Sequence, residues 1–341
     1  MENFEYKSAS CRTIFGNGTI NKLPDILEQQ DLSCPLLLST AQQVDQLNQL
    51  KNILGGKIAG TYSKAVMHTP RETTIEAVAI AKDLKADCVV SIGGGSTIGL
   101  GKTISFRTGL PHICIPTTYA GSDQTPILGE TEDGLKVTIS DPKILPGIVI
   151  YDADLILSLP SEMSATSGLN AIAHARAPLE GIKSLVSSLP DIVADPSSRS
   201  ARSLSFYGSW LCGICLGNVG MALHHKLCHT LGGSFNLPHA ETHAIVLPHA
   251  LAYTAPMIPE IMKKLGSVFP EGAAIDGLNA LQRRLRVKKA LKDYGLREED
   301  IDTAVTITLS KPYWNPRKVQ KDALKEVIRR CWAGEDARED L

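Results

Sequence analysis

The histidines of this chain are concentrated in one short segment. Six of the nine fall within 26 residues: His224, His225, His229, His239, His243 and His249. His225 and His229 are spaced i, i+4, which places both rings on one face of a helix. Imidazole exchanges protons near neutral pH and ligates metals. The concentration predicts a functional site, the alternative being histidines that are hydrogen-bonded inside a helical core.

The i, i+4 spacing recurs upstream, between Asn170 and His174. Three histidines and one carboxylate would form a good site for a divalent metal. Asn170 stands where that carboxylate would be, and a neutral amide is a much poorer ligand. The residues alone therefore leave a metal site open but do not favour it.

A glycine-rich turn is the second candidate for chemistry. The run Val89-Val90-Ser91-Ile92, a predicted strand, leads into Gly93-Gly94-Gly95-Ser96-Thr97, and a helical pattern follows. A strand that ends in glycines at the start of a helix exposes backbone N–H groups beside the positive end of the helix dipole, which suits phosphate. The spacing of Gly93, Gly95 and Gly99 is GxGxxxG and departs from the GxGxxG dinucleotide fingerprint. A simple tight turn is the alternative interpretation.

A second loop of small hydroxyl residues follows the next predicted strand, at residues 116–123. It contains Thr117 and Thr118, and open α/β sheets bind their ligands at the carboxyl ends of strands. Two such loops on successive strands favour a dinucleotide cofactor. The residues do not choose between NADH and NADPH, because the strand ending at Leu38-Ser39-Thr40 lacks the acidic residue that would select a free ribose hydroxyl.

Hydrophobic periodicity divides the chain into two domains. Up to residue 159 short β-rich runs alternate with helical stretches, which predicts an α/β domain with a largely parallel sheet. From residue 160 the strand signal fades and an all-α domain is expected over 160–341. The predicted strands are Cys11–Phe15, Pro35–Ser39, Lys57–Gly60, Asp87–Ile92, His112–Ile115 and Gly147–Tyr151. The predicted C-terminal helices are Glu162–Ala175, Leu179–Leu189, Ser198–Leu231, Ala280–Tyr294 and Pro316–Trp332.

Composition excludes several functional classes. Among 341 residues the net charge is −1 and the hydrophobic share is 43%, which argues against nucleic acid and anionic membranes as partners. The N-terminus lacks the pattern of a signal peptide. The uncharged run Tyr207–Leu223 contains four glycines and is expected to be a buried helix rather than a membrane span. The eight cysteines, including the CxxC pair Cys212 and Cys215, have no framework spacing, so reduced thiols and a cytoplasmic location are expected.

Several motifs together resemble the iron-containing alcohol dehydrogenase family, which has the dehydroquinate synthase-like fold. The resemblance covers nearly the whole chain and rests on the glycine turn with Lys102, the Thr117-Thr118 loop, Gly168–His174 and His225-x3-His229-x9-His239. Further stretches resemble the maleylacetate reductase branch of that family. They are Val66–Pro70, Arg107–Pro111, Thr125–Thr131, His224–Ser234 and Pro312–Pro316.

Two positions carry the assignment within the family. In the pattern that the metal-dependent members of the family share, an aspartate occupies each of the positions of Gly99 and Asn170. The resemblance therefore implies reduction of the carbon–carbon double bond of maleylacetate to 3-oxoadipate by NADH or NADPH, with no obligatory metal. It also implies a small dicarboxylate substrate and a homodimer.

The resemblance implies a role for individual residues. The catalytic candidates are His174, His229 and His243. The substrate-binding candidates are His68, Lys102, His225 and His239. The cofactor-binding candidates are Gly94, Gly95, Ser96, Thr117, Thr118 and Lys136.

Two departures from the family pattern keep other functions open. At the position of Asp123-Gln124 the family pattern has Glu followed by an apolar residue. Pro178 interrupts the helix expected after His174, and the spacing onward is shorter by several helical turns. The alternatives are a metal-dependent alcohol dehydrogenase and a family member repurposed for a biosynthetic pathway.

Overall fold

A computed structural model describes residues 10–132, 135–173, 179–311 and 313–341, without the side chains of Leu135 and Lys136. The chain forms two compact units. The sheet unit contains the residues up to 117 together with 122–129 and 138–152. The helical unit contains Ala153–Leu341 together with Thr118–Gly121 and Glu130–Val137. Two short segments of the N-terminal half are thus counted with the helical unit, whereas the sequence predicts a single boundary at residue 159.

Six parallel strands form the sheet of the sheet unit, in the order β1-β8-β5-β4-β2-β3. Two further strands, β6 and β7, form a separate two-stranded sheet among the described residues. The strands are β1 Arg12–Gly16, β2 Pro35–Leu38, β3 Gly60–Tyr62, β4 Cys88–Gly93, β5 His112–Pro116, β6 Ile127–Glu132, β7 Leu135–Ser140 and β8 Ile148–Asp152. The helices of this unit are α1 Leu23–Gln29, α2 Val44–Ile53, α3 Arg71–Asp83 and α4 Gly95–Thr108.

The central strands of the sheet are buried, which agrees with their mostly apolar composition. Every residue of β4, β5 and β8 is buried, as expected for parallel strands covered by helices on both faces. Helix α3 buries Ala77 and Ala81 at i, i+4, while Leu84 lies past the helix end and is exposed. The α/β prediction is confirmed, although the third strand begins at Gly60, where the predicted run ends.

The strand order reverses between β2 and β4. From β2 the chain moves outward to β3, then returns to place β4 on the other side of β2. A crevice at such a reversal, at the carboxyl ends of the strands, is the usual ligand site of open α/β sheets. The ends of β2 and β4, at Leu38 and Gly93, define that place in this sheet.

A large apolar core lies among several helices of the helical unit. Helix α9 contributes Val246 and Ala250 to it, and helix α13 contributes Leu324 and Val327. The helices of the unit are α5 Ser161–Ala173, α6 Leu179–Ala194, α7 Arg199–Asn218, α8 Leu223–Phe235, α9 His239–Thr254, α10 Pro259–Gly266, α11 Ala274–Arg284, α12 Ile301–Leu309 and α13 Lys321–Ala333. The prediction of an all-α C-terminal part is confirmed.

Four predicted helices are wrong in their bounds. The helix predicted over Pro316–Trp332 begins at Lys321, and the helix predicted over Leu179–Leu189 continues to Ala194. The helix predicted over 198–231 is interrupted at residues 219–222, and α8 continues at 96° to α7. The helix predicted over 280–294 ends at Arg284, because α11 starts earlier and only a short 3₁₀ turn forms at Leu291–Tyr294. Among the described residues no single helix has the length and apolarity of a membrane span, although the bent pair α7 and α8 has them jointly.

Candidate active site

The glycine turn joins β4 to α4 and requires glycine at its first position. Gly93 has a φ of 154°, which residues with L side chains rarely adopt. A Cβ atom there would lie 2.4 Å from Thr97 Oγ1 and 2.7 Å from Gln43 Oε1. The strand can therefore turn into the helix only where no side chain is present.

The first turn of α4 presents backbone donors. Gly94 is the N-cap residue and supplies no side-chain hydrogen bond, and no acidic residue lies in the first turn. A Cβ atom on Gly95 would approach only Ser122 Oγ, at 4.0 Å, and Gly95 is exposed. This arrangement leaves the helix N-terminus accessible to an anion. Gly94, Gly95 and Ser96 therefore lie together where the sequence places a phosphate.

The second loop lies beside the first. The Thr117 N–H donates to Gly93 O at 3.0 Å, and Gln43 Nε2 donates to Thr117 Oγ1 at 2.7 Å. Gln43 follows β2 and thus links the ends of β2, β4 and β5, a role that the sequence did not reveal. Thr118 is counted with the helical unit. The side chain of Lys136, on β7, lies outside the described residues.

Lys102 does not have the substrate-binding geometry that the sequence suggests. Its side chain is 1% exposed. Its Nζ donates to Ser122 O at 2.5 Å, Thr125 O at 2.8 Å, Thr125 Oγ1 at 2.9 Å and Ile127 O at 2.9 Å. An ammonium group has three protons, so these oxygens use its whole donor capacity. Lys102 fixes the segment after the second loop.

The unusual pair Asp123-Gln124 is explained by Tyr151. Both side chains are buried, and the Tyr151 hydroxyl donates to Asp123 Oδ2 while accepting from Gln124 Nε2 at 3.2 Å. Burial raises the pKa of Asp123. The pair is therefore part of a polar network inside the sheet unit.

His68 lies on a strained loop before α3. His68 and Thr69 both have positive φ, 64° and 47°, although Thr69 is β-branched and rarely adopts that conformation. The loop lies close to α4, where a Cβ atom on Gly99 would be 2.9 Å from Thr69 Oγ1. The absence of a side chain at Gly99 thus makes room for the loop that carries His68.

Helices α8 and α9 bring five histidines into one cluster. Ring centroids are 5.0 Å apart for His224 and His225, 4.9 Å for His224 and His243, 5.2 Å for His225 and His243, 6.2 Å for His225 and His229, and 4.1 Å for His239 and His243. We call these five residues the histidine cluster. The left-handed Asn236 (φ 54°) ends α8, and α9 begins three residues later. This short connection brings the rings of the two helices together.

His224 fixes the protonation of its neighbour. Its Nε2 lies 3.1 Å from His243 O, and a carbonyl only accepts, so Nε2 carries the proton. Burial lowers the pKa of His224 to about 4, so the ring is neutral near pH 7 and its Nδ1 is an acceptor. That Nδ1 lies 3.4 Å from His225 Nδ1, and a hydrogen bond between them requires the proton on His225. The sequence did not single out His224 for this role.

The sixth histidine of the segment lies apart from the cluster. His249 is six residues past His243 on α9, so its ring points away from the cluster. It is 5% exposed, and its pKa is lowered to about 4 by burial, with further lowering from Arg330 and Lys289. His174 lies outside the described residues, so the structure says nothing of its place.

Three members of the cluster have the spacing of a metal site. Nitrogen atoms of His224, His225 and His243 lie within 4.8 Å of one another. Asn170 on α5 is 1% exposed, and its Oδ1 accepts no hydrogen bond from the described residues. Three imidazole nitrogens fit a divalent cation such as Zn²⁺ or Fe²⁺, which would replace the hydrogen bond between His224 and His225.

Comparison with known proteins identifies the family. Residues 10–153 match the family described as iron-containing alcohol dehydrogenase, and residues 164–332 match its C-terminal domain. A maleylacetate reductase of Rhizobium sp. is 45% identical over 98% of this chain and 99% of its own length. The crystal structure of a maleylacetate reductase from Agrobacterium tumefaciens has a TM-score of 0.92 at 44% identity, covering 98% of this chain and all of its own.

A more distant structure shares the fold alone. The sulfoacetaldehyde reductase of Bifidobacterium kashiwanohense, solved in complex with NAD⁺, has a TM-score of 0.86 at 22% identity, over 98% of this chain and all of its own. The nearer relatives carry the assignment, since their identity exceeds 40% across almost the full length of both chains. The chain therefore belongs to the iron-containing alcohol dehydrogenase family and, within it, to the group that contains the maleylacetate reductases.

Proposed function

We propose that this chain uses NADH or NADPH to reduce the carbon–carbon double bond of maleylacetate, giving 3-oxoadipate. The full-length similarity to curated maleylacetate reductases, at 45% identity, carries the proposal. The histidine cluster on α8 and α9 supplies the chemistry that such a reaction needs. The reaction would serve the degradation of aromatic compounds.

The proposed reaction is a conjugate reduction. A hydride from the nicotinamide adds to the alkene carbon β to the ketone, the double-bond electrons move to the ketone oxygen, and an enolate forms. A proton then adds to the carbon α to the ketone, and the products are 3-oxoadipate and NAD(P)⁺. The developing negative charge on the oxygen needs a positioned hydrogen-bond donor, and the α carbon needs a proton source.

The cluster provides groups for both tasks. We assign the catalytic proton transfers to His229, His243 and His174, and the contacts with the substrate carboxylates to His225, His239 and His68. Because His224 holds the proton of His225 on Nδ1, the Nε2 of His225 is the basic nitrogen of that ring. His224 is therefore a positioning residue, acting on the substrate only through His225.

The sheet unit would hold the cofactor. Gly94, Gly95 and Ser96 offer the N-terminus of α4 to the pyrophosphate. Thr117 and Thr118 are assigned to the nicotinamide side, and Lys136 to a further contact. The structure adds Gln43, whose amide orients the Thr117 hydroxyl.

The family name raises the question of a metal. His224, His225 and His243 would hold a divalent cation, which when bound would polarise the ketone oxygen as a Lewis acid. We propose that turnover does not require it, because imidazole N–H groups can stabilise the same oxygen and Asn170 offers no charge to a metal. A metal-dependent alcohol dehydrogenase, the second candidate, would lose activity to a chelator and regain it with zinc or iron.

The decisive experiment is an assay with maleylacetate and each reduced cofactor. We expect oxidation of NADH or NADPH, with formation of an equimolar amount of 3-oxoadipate that mass spectrometry identifies. The rate of this oxidation should not change after treatment of the protein with a chelator. Folded protein that binds the cofactor but leaves maleylacetate unreduced would reject the proposal and favour the repurposed alternative.

The setting of the enzyme is part of the proposal. We propose a cytoplasmic homodimer, and the eight free cysteines are consistent with a reducing compartment. Sedimentation of the purified protein as a single species of twice 36.7 kDa would support the dimer, and a monomer at micromolar concentration would contradict it.

A further inference from the structure

A large apolar cavity adjoins the histidine cluster. Its volume is about 240 Å³, and it lies within the helical unit. His224 and His225 form part of its wall, while Leu251, Phe269 and Leu278 line it elsewhere. The proposed reaction gives this space no role.

The wall of the cavity offers little to a polar group. The polar side chains of the cavity wall are the two imidazoles, the exposed Trp314, Thr254 and Asn315. The Thr254 hydroxyl donates to Ala250 O at 2.9 Å. The Asn315 amide accepts from Leu223 N at 3.2 Å and donates to Arg317 O at 2.7 Å. Because these groups are satisfied within the protein, the space favours an apolar occupant.

Maleylacetate itself does not suit this space. It carries a carboxylate at each end, and moving an ionised carboxylate into an apolar cavity without a partner is strongly unfavourable. Both carboxylates must therefore remain with the polar groups of the site. An apolar branch on the carbon chain, by contrast, would enter the cavity while the rest of the molecule stays at the histidines.

We infer that the preferred substrate of this chain is a maleylacetate that carries an apolar substituent larger than methyl, and that the cavity binds this substituent. The inference rests on the proposed function. A cavity of about 150 Å³ lined by aliphatic and aromatic side chains already accommodates benzene. A space of 240 Å³ is therefore large enough for a butyl or phenyl group.

The effect on catalysis follows from the area buried. Each methylene removed from water improves binding about fourfold, and a substituent held equally in the transition state raises kcat/KM by that factor. A butyl group should therefore give a kcat/KM at least about tenfold above that of maleylacetate, even if only two of its carbons are fully buried.

The test compares maleylacetate with its butyl and phenyl derivatives, substituted at each available carbon. Ala250→Leu adds bulk on the cavity wall, where Ala250 is 3% exposed. Gly220→Leu is the second variant, in case the first does not fold, because a Cβ atom there meets nothing within 4 Å and no left-handed φ opposes it. Ser187→Leu, on the exposed face of α6, adds the same side chain away from the cavity and is the matched control.

We expect a preference for a substituted substrate in the wild type and in the control, and its loss in a cavity variant. If maleylacetate is reduced but no derivative is preferred, the inference is overturned while the proposed function stands. If nothing is reduced, the proposed function fails, and calorimetric titration with adipate and butyladipate still decides the inference. Tighter binding of butyladipate that is lost in the cavity variant would support it, and equal affinities would overturn it.

Discussion

The glycine turn of the sheet unit and the histidine cluster of the helical unit offer different parts of the chain to a ligand. At the glycine turn the candidate donors are backbone N–H groups, and Gly93 matters because it has no side chain. In the histidine cluster the candidate binding groups are the imidazole side chains, and the backbone of α8 and α9 spaces them. Substitutions should therefore act in opposite ways, since added atoms damage the first site and removed atoms damage the second.

The largest effect is expected from His243→Gln. The glutamine cannot transfer a proton, so kcat should fall by about 100- to 10,000-fold while the dissociation constant of the reduced cofactor stays within a factor of two. Steady-state kinetics and fluorescence titration measure the two quantities. His249→Gln on the same helix is the control and should keep kcat within about threefold. Equal losses in both variants would mean that the histidines of α9 are structural.

Lys102→Met tests the reassignment of a predicted substrate ligand. Removal of the ammonium leaves several buried carbonyl oxygens without a donor, which should lower the free energy of unfolding by about 2–4 kcal/mol. Denaturant unfolding measures the loss, and Lys82→Met, on the exposed face of α3, should change it by less than about 0.5 kcal/mol. A raised KM for maleylacetate with unchanged stability would restore Lys102 to the substrate site.

Gly93→Ala tests the backbone site. The new methyl group would collide with Thr97 and Gln43 and shift the glycine turn, so the cofactor should bind about tenfold more weakly while any kcat at saturation changes little. Gly109→Ala is the matched control at the other end of α4, since Gly109 has a φ of 78° with open space around its Cβ position. It should cost about 1 kcal/mol of stability without weakening cofactor binding. Loss of binding in both variants would point to general unfolding of α4.

The most gradual effect concerns acid stability. The pKa of His249 falls from 6.5 to about 4 on folding, so between these pH values the unfolded chain binds a proton that the folded chain does not. The free energy of unfolding should therefore fall as the pH drops, by about 1 kcal/mol per unit from this residue. His249→Gln should show a correspondingly shallower slope in unfolding measured from pH 6.5 to 4. An identical slope would mean that His249 titrates normally in the folded protein.

The sequence predicted the glycine turn and the histidine cluster because each has a compositional signature. Three consecutive glycines after an apolar run indicate a turn at the end of a buried strand, and the structure has β4 and α4 at that place. Six histidines in one segment indicate a cluster, and five of them meet. Both signals are local in the chain, which is why a sequence pattern contains them.

The errors arose where the contacts are distant in sequence. Lysine is a residue type that commonly binds carboxylates, so the sequence suggested Lys102 as a substrate contact. Only the fold shows that oxygens of Ser122, Thr125 and Ile127 accept its protons. The break between α7 and α8 was missed because residues 219–222 continue the uncharged run of α7. Gln43 gave no signal at all, since its function depends on the neighbouring ends of three strands.

The short segment Thr118–Gly121 has a consequence for how the protein can be divided. Its backbone is held inside the helical unit, where the Ser209 hydroxyl donates to Tyr119 O at 2.6 Å and the Tyr119 ring packs edge-on against Phe206 at 5.6 Å. Tyr119 is fully buried there, although in the sequence it stands between two segments of the sheet unit. A gene cut at the boundary would deprive the helical unit of a core side chain. A single cut in the gene therefore does not separate the two units, because the polypeptide passes from the sheet unit to the helical unit and back before the sheet unit is complete.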